Sequence, residues 1–249
     1  MRPGELLDPL PIRIIPRVIH APFTDPITFQ RQPRPANRFL RAIASIRAQN
    51  YQLVVVERIV EIPFVFRHLD VPIGSRILDF GGTGSPIALH VASLGYDVTI
   101  FDLRDYGFEH PNLHQATGDF LTLEVAEASF DVAFVVSAVE HAGLAAYGES
   151  EFGGGDARVM ERIRHALRPG GRLVLTVPFG RAGQTPWYRV YDQARLARLL
   201  DGFEVVVSEF YEGIGRTAWT LSTAERVETI DSVDCGFAQG VACVVAVRA

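Results

Sequence analysis

The chain of 249 residues contains no lysine, and its 24 basic residues are all arginine. No side-chain amine is available as a Schiff-base nucleophile or as the phosphate-binding lysine of a P-loop, which excludes both chemistries. GC-rich codon usage produces such a bias without functional selection, and it points to a high-GC bacterial host. Cysteine is nearly as scarce, with two residues. Cys243 lies in the apolar run VACVVAV and reads as a small packed hydrophobe, so a structural disulfide with Cys235 is not expected. Long apolar runs are missing as well. Stretches such as Phe134 to Val139 are far too short to cross a bilayer, and the Pro- and Arg-containing N-terminus has no secretory apolar core. A soluble, cytoplasmic protein without a membrane partner is expected. The formal charge of −5 leaves no electrostatic footprint for nucleic-acid phosphates, although the arginines between Arg31 and Arg47 make that region locally basic. Nucleic acid is therefore not an expected partner, and the sequence leaves the oligomeric state open.

Residues 1–36 carry Pro3, Pro9, Pro11, Pro16, Pro22, Pro26, Pro33 and Pro35, each of which removes a backbone donor, and read as an extended arm. Apolar residues at helical spacing predict helices over Asn37–Gln49 and about Val55–Leu69, forming a helical cap. The expected division is an arm and cap at 1–72 and a ligand-binding domain at 73–249. From Arg76 onward short β-rich runs alternate with helical stretches. The predicted strands are Arg76–Asp79, Asp97–Phe101, Leu113–Ala116, Asp131–Val136, Arg172–Val177, Phe203–Phe210 and Val241–Val247. The predicted architecture is α/β, a doubly wound sheet of seven strands with helices on both faces.

In ILDFGGTGSP the buried run Ile77-Leu78 ends at Asp79, and Gly81, Gly82 and Gly84 let the backbone turn sharply close to a ligand. Ser85 suits a helix N-cap and Pro86 the first turn. Asp102 ends the next strand, 21 residues after Gly81, where a carboxylate can take two ribose hydroxyls. A glycine turn alone is weak evidence. The joint pattern of Asp79, glycine loop, capped helix and Asp102 predicts a nucleotide-like ligand.

With these motifs in place, segment 76–180 resembles the class I S-adenosylmethionine-dependent methyltransferases, a likeness strengthened by the Arg-Pro-Gly-Gly turn of HALRPGGRLVLTVPFG. The resemblance implies a Rossmann-like sheet with an antiparallel last strand. It implies S-adenosylmethionine as methyl donor, with S-adenosylhomocysteine as product, held by Asp79, Gly81, Gly82, Thr83, Gly84, Asp102, Leu103, Asp119, Phe120 and Ser137. Asp119, in ATGDF, matches the acid that takes the adenine amino group. Thr83 and Ser85 depart from the family's pattern, which has glycine at both positions. A nicotinamide-dependent dehydrogenase is the competing use of a related sheet, ranked lower because three-glycine dinucleotide spacing is absent.

The strand FDVAFVVSAVEHAGL delivers Ser137, Glu140 and His141 to the carboxyl edge, where open α/β sheets bind ligands. The Asn/Asp-Pro-Pro-aromatic motif of nucleic-acid amino methylation is missing here, which favours an oxygen or a simple amine as acceptor. His141 is the candidate general base, the bland alternative being a hydrogen bond to the helix start or the donor. Ubiquinone-type O-methyltransferases place a metal-binding carboxylate three residues before a similar Glu-His pair. Ser137 stands there instead, so no metal is expected. The other histidines, His20, His68, His90, His110, His114 and His165, show no ligand spacing.

Beyond His141, Tyr147, Glu149 and Asp156 are candidates to bind acceptor hydroxyls, against a plain solvated loop with Asp156 as helix cap. In TPWYRVYD, Trp187, Tyr188 and Tyr191 offer aromatic faces, and Arg189 and Asp192 offer polar groups, against ordinary core filling with Asp192 as helix cap. Together with EHAGLAAYGE and VPFG these segments resemble bacterial sugar O-methyltransferases of glycan and secondary-metabolite pathways. That resemblance implies a carbohydrate acceptor such as a mannose- or glucose-based oligosaccharide, and polysaccharide biosynthesis. The alternatives are a natural-product phenol or amine acceptor, or a non-catalytic donor-binding module.

Overall fold

The computed structural model describes residues 55–148, 151, 153–215, 217–233 and 237–249. The proline-rich arm, the expected helix at 37–49, Glu149 and Cys235 lie outside the described residues. The chain divides into two compact units, Met1–Ile59 with Gly213–Trp219, and Val60–Glu212 with Thr220–Ala249. Within the first, the Trp219 indole Nε1 donates to the Val55 carbonyl at 2.9 Å. The second holds the candidate site.

Its helices are α1 (Arg58–Arg67), α2 (Ile87–Ser93), α3 (Gly155–Ala166), α4 (Gln193–Leu199) and α5 (Ala224–Glu228). Five strands precede the first small hairpin: β1 (Arg76–Phe80), β2 (Asp97–Asp102), β3 (Leu113–Thr117), β4 (Phe130–Val136) and β5 (Leu167–Pro178). β6 (Gly183–Gln184) and β7 (Arg189–Val190) form that hairpin, and β8 (Phe203–Ile214), β9 (Ala218–Ser222) and β10 (Gly240–Arg248) follow. α1 matches the helix predicted at Val55–Leu69 and tolerates Pro63 in its interior.

The main sheet has eight strands in the order β3-β2-β1-β4-β5-β10-β8-β9, which corrects the expected seven. The addition is β9, a short edge strand. It is built by backbone pairing rather than by burial, with Leu221 63% exposed, and so lacks the apolar run that marks a buried strand. β1, β2, β3, β4 and β5 are mutually parallel, whereas β10 runs antiparallel to both β5 and β8. The antiparallel last strand thus agrees with the implied one.

β1 has β2 on one side and β4 on the other, so the chain winds outward to β3 and then returns across β1. This reversal separates the loops leaving the carboxyl ends of β1 and β4 and opens a crevice there. β4 is an almost unbroken apolar run because helices cover both faces of a parallel sheet, and Phe134 is fully buried. The Arg-Pro-Gly-Gly segment is a bulge inside β5. Phe130 pairs with Leu167 and Val132 next with Arg172, and Gly170 takes up the slack at φ 72°. Beside the crevice Phe120 packs edge-on against Phe80 and Phe101, with centroids 5.2 Å apart in both cases.

Candidate functional site

The crevice begins where β1 ends. Gly81 turns the chain in the left-handed region at φ 72°, and a side chain there would collide with Ala138, on the neighbouring β4 loop. Gly82 has no room for a side chain either, because the buried Asp79 carboxyl group lies against it. Gly82–Gly84 then form one 3₁₀ turn. The Ser85 hydroxyl accepts from the Ile87 amide at 3.3 Å, so it supports the start of α2 while Pro86 occupies the cap position. Sequence reasoning missed Tyr106, which anchors this loop. Its hydroxyl donates to the Ser85 carbonyl at 2.9 Å and lies 3.4 Å from the Leu89 amide. Burial pushes its phenol up to about 12.

Asp102 is buried at the end of β2 and faces the glycine loop. Its Oδ2 accepts from the Thr83 amide at 3.1 Å, and its Oδ1 accepts from the Arg104 amide at 3.0 Å and from Arg104 Nε at 3.3 Å. Thr83, the departure from glycine, fits because its hydroxyl donates to the Arg104 carbonyl at 3.2 Å and ties the two loops together. Leu103, half-buried, follows Asp102. Gly118 donates to the Asp102 carbonyl, which brings Asp119 beside the same edge. Asp119 Oδ1 accepts from the Leu121 amide at 2.9 Å, and Phe120 points into the aromatic core. Asp79, Gly81, Gly82, Thr83, Gly84, Asp102, Leu103 and Asp119 therefore converge on one edge, with Phe120 as backing.

At the end of β4, Ser137 sits at φ 43°, an uncommon conformation for a residue with a side chain. Its amide donates to the Thr176 carbonyl at 3.0 Å, and its hydroxyl donates to Glu61 Oε1 at 2.5 Å. Thr176 Oγ1 donates to the same oxygen at 2.7 Å. Glu61 comes from α1 and is fully buried. No local motif announces this role, because its partners lie 76 and 115 positions away.

One 3₁₀ turn, Val139–His141, carries the candidate base. The side chain of His141 is 13% exposed, and that of the neighbouring Glu140 2%. His141 Nδ1 lies 2.6 Å from the Trp187 carbonyl oxygen. A carbonyl only accepts, so Nδ1 carries the proton and, in the neutral ring, Nε2 keeps its lone pair. Nε2 stands 3.7 Å from Glu140 Oε1. The Trp187 carbonyl is aimed by the hairpin. Thr185 Oγ1 accepts from the Trp187 and Tyr188 amides at 3.1 and 2.9 Å, and the Thr185 amide donates to the Tyr188 carbonyl.

Around His141 the rings of Tyr147 and Trp187 stand at 5.4 and 5.5 Å, and they meet one another edge-on at 4.9 Å. Tyr147 is 41% exposed and Trp187 47%, so both residues are partly open to solvent. The other aromatics of TPWYRVYD do not join this wall. Tyr188 is buried with its hydroxyl on the Ser232 carbonyl, and Tyr191 is buried with its hydroxyl on Asp156 Oδ2 at 3.0 Å. Burial, then the Asp156 and Glu140 charges, hold the Tyr191 phenol well above its ordinary range. Arg189 donates to the Glu140 and Ala142 carbonyls at 3.2 and 2.7 Å and pairs with Asp156 at 3.7 Å. Asp156 lies in the first turn of α3, whose cap is Gly154, and Asp192 caps α4 by accepting from the Arg195 amide. This buried cluster braces the turn that carries His141. Among the described residues no group of three His, Cys, Asp or Glu residues is placed to hold a metal ion.

Solved structures share this fold. The 1,6-didemethyltoxoflavin-N1-methyltransferase of Burkholderia thailandensis, solved with S-adenosylhomocysteine, aligns at TM-score 0.52 and 17% identity over 88% of this chain and 91% of its own. The N-methyltransferase NodS of Bradyrhizobium japonicum, also with S-adenosylhomocysteine, aligns at TM-score 0.53 and 16% identity over 77% and 87%. The fold is that of the S-adenosylmethionine-dependent methyltransferases. It is not confined to one reaction, since the [4+2]-cyclase SpnF aligns at TM-score 0.54 and 20% identity over 75% of this chain and 79% of its own. A family described as a Caenorhabditis protein of unknown function, DUF268, matches residues 120–233. No curated protein matches the chain. No described helix is long and apolar enough to cross a membrane.

Proposed function

We propose that the chain is an S-adenosylmethionine-dependent O-methyltransferase that methylates a hydroxyl of a sugar or oligosaccharide, with His141 as general base. The observation that carries this reading is the 2.6 Å contact between His141 Nδ1 and the Trp187 carbonyl, which fixes the tautomer that bears its proton on Nδ1 and so makes Nε2 the basic nitrogen.

The residues fit the donor. Asp102 keeps lone pairs for a pair of ribose hydroxyls although Thr83 and Arg104 already donate to it, and Asp119 keeps Oδ2 for an exocyclic amine. Gly81 and Gly82 keep the loop flush with the sheet edge, Gly84 leaves open space above it, and Leu103 offers apolar contact. S-adenosylmethionine, when bound, supplies an electrophilic methyl group. His141 Nε2 takes the acceptor proton as its oxygen attacks, and Glu140 stabilises the resulting imidazolium. Arg189, through the Glu140 and Ala142 carbonyls, holds the turn in place.

For the acceptor, support comes from the half-exposed faces of Trp187 and Tyr147 beside the base, since aromatic faces suit the C–H surfaces of sugar rings. Tyr188 and Tyr191 act as support for this wall, their hydroxyls being engaged within the protein. A nitrogen acceptor is the second reading, favoured by the two N-methyltransferases that share the fold.

Incubation with isotopically labelled S-adenosylmethionine and a panel of glycosides, oligosaccharides, phenols and amines, followed by mass spectrometry, tests the proposal. Label on a sugar oxygen supports it. Label on nitrogen alone selects the second reading, and tight S-adenosylhomocysteine binding without any transfer points to a non-catalytic module.

A further inference from the structure

Arg104 stands between the two halves of the crevice. Its Nε donates to Asp102 Oδ1 at 3.3 Å, and its guanidinium carbon lies 4.7 Å from the centroid of the Tyr147 ring. These two contacts fix the side chain from both sides while leaving it 49% exposed. Its terminal nitrogens, Nη1 and Nη2, donate to no residue among those described. Four N–H groups in a planar fork are thus presented beside an aromatic wall that Tyr147 shares with Trp187 and His141. Such a fork matches two oxygens of a carboxylate or phosphate, and ordering the stem beforehand lowers the entropy cost of binding them.

We infer that Arg104 is a specificity-determining residue whose Nη1/Nη2 fork reads an oxyanion on the acceptor, so that the preferred substrate is an anionic sugar carrying a phosphate or a carboxylate. The inference rests on the crevice being a methyl-transfer site. It adds the charge of the acceptor, which the aromatic wall alone does not define. Arg104 binds the acceptor group in this reading and leaves the proton to His141. Its bond to Asp102 also joins acceptor recognition to the donor side, because one carboxylate carries both the Thr83 amide and the Arg104 side chain.

The test is calorimetric titration of the full chain, saturated with S-adenosylhomocysteine, with glucose 1-phosphate, methyl glucuronide and methyl glucoside as probes. Binding of an anionic probe about tenfold tighter than methyl glucoside is expected, a ratio typical of hydrogen bonds to a charged group. Which anionic probe leads decides between phosphate and carboxylate. Arg104→Gln should erase the preference and leave methyl glucoside affinity within about twofold, and Arg104→Lys should keep part of it because charge remains while the fork is lost. Equal affinities for charged and neutral probes, a preference that survives Arg104→Gln, or no binding of either anionic probe overturns the inference. S-adenosylhomocysteine affinity is measured separately for each variant. Its absence in the wild type defeats the methyl-transfer reading itself, and its loss only in Arg104→Gln assigns Arg104 to the donor and overturns acceptor recognition.

Discussion

Glu61 and Ser137, 76 positions apart, share a 2.5 Å hydrogen bond that closes the end of β4 over a fully buried carboxyl group. Thr176 Oγ1 adds a second bond from β5. One helix residue therefore ties the end of β4 to its neighbour β5. Ser137, at its uncommon φ of 43°, has both its amide and its hydroxyl engaged.

Replacing Glu61 by Ala should leave the buried Thr176 hydroxyl and the partly buried Ser137 hydroxyl without their acceptor and cost about 3 kcal/mol of stability. Glu61→Gln, which retains a carbonyl oxygen, should lose roughly half as much. Urea unfolding of the two variants measures the difference, and equal losses would show that the acceptor oxygen is not what matters.

Replacing His141 by Ala should lower turnover by about 10²–10⁴-fold if the ring removes the acceptor proton. S-adenosylhomocysteine affinity should stay near wild type, because the Asp102 loop does not depend on the ring. Wild-type turnover in the variant would remove His141 from the chemistry.

At Asp102, Asn is the informative replacement, since it keeps size and removes charge. The bonds from Arg104 Nε and the Thr83 amide weaken together with any bond to a ribose. Calorimetry should show donor affinity reduced by roughly tenfold or more. An unchanged dissociation constant would rule out the ribose role.

Tyr106 gives a pH prediction. In the unfolded chain its phenol loses a proton near ~10, whereas the folded value is about 12. Between those values the unfolded state binds fewer protons than the folded state, so stability falls as pH rises through the window and is unaffected below it. Tyr106→Phe should flatten that limb and, by removing the bond to the Ser85 carbonyl, cost about 1 kcal/mol at neutral pH. Thermal unfolding scans from pH 8 upward check both effects.

Much of the sheet is readable from composition because strands buried on both faces become apolar runs, as the parallel β4 and the antiparallel β10 do. The glycine loop and Asp102 are readable because their conformational demands are local. β9 escapes because an exposed edge strand carries no such signature. Trp187, Tyr188 and Tyr191 look alike in sequence, and only the hairpin turn at Thr185 decides that the first faces solvent while the other two are buried. Glu61 and Arg104 escape for a different reason. Their roles depend on residues far along the chain, Ser137 and Thr176 for Glu61 and the Tyr147 ring for Arg104.

The partner that fixes the tautomer of His141 is the peptide carbonyl of Trp187 rather than a side chain. A substitution at position 187 can therefore redraw the surface met by an acceptor without touching the atom that orients the imidazole. The same residue supplies an interchangeable face and a permanent backbone clamp. This hairpin tip is accordingly a place where substrate choice can drift through evolution, or be redesigned, while the acid-base apparatus stays intact.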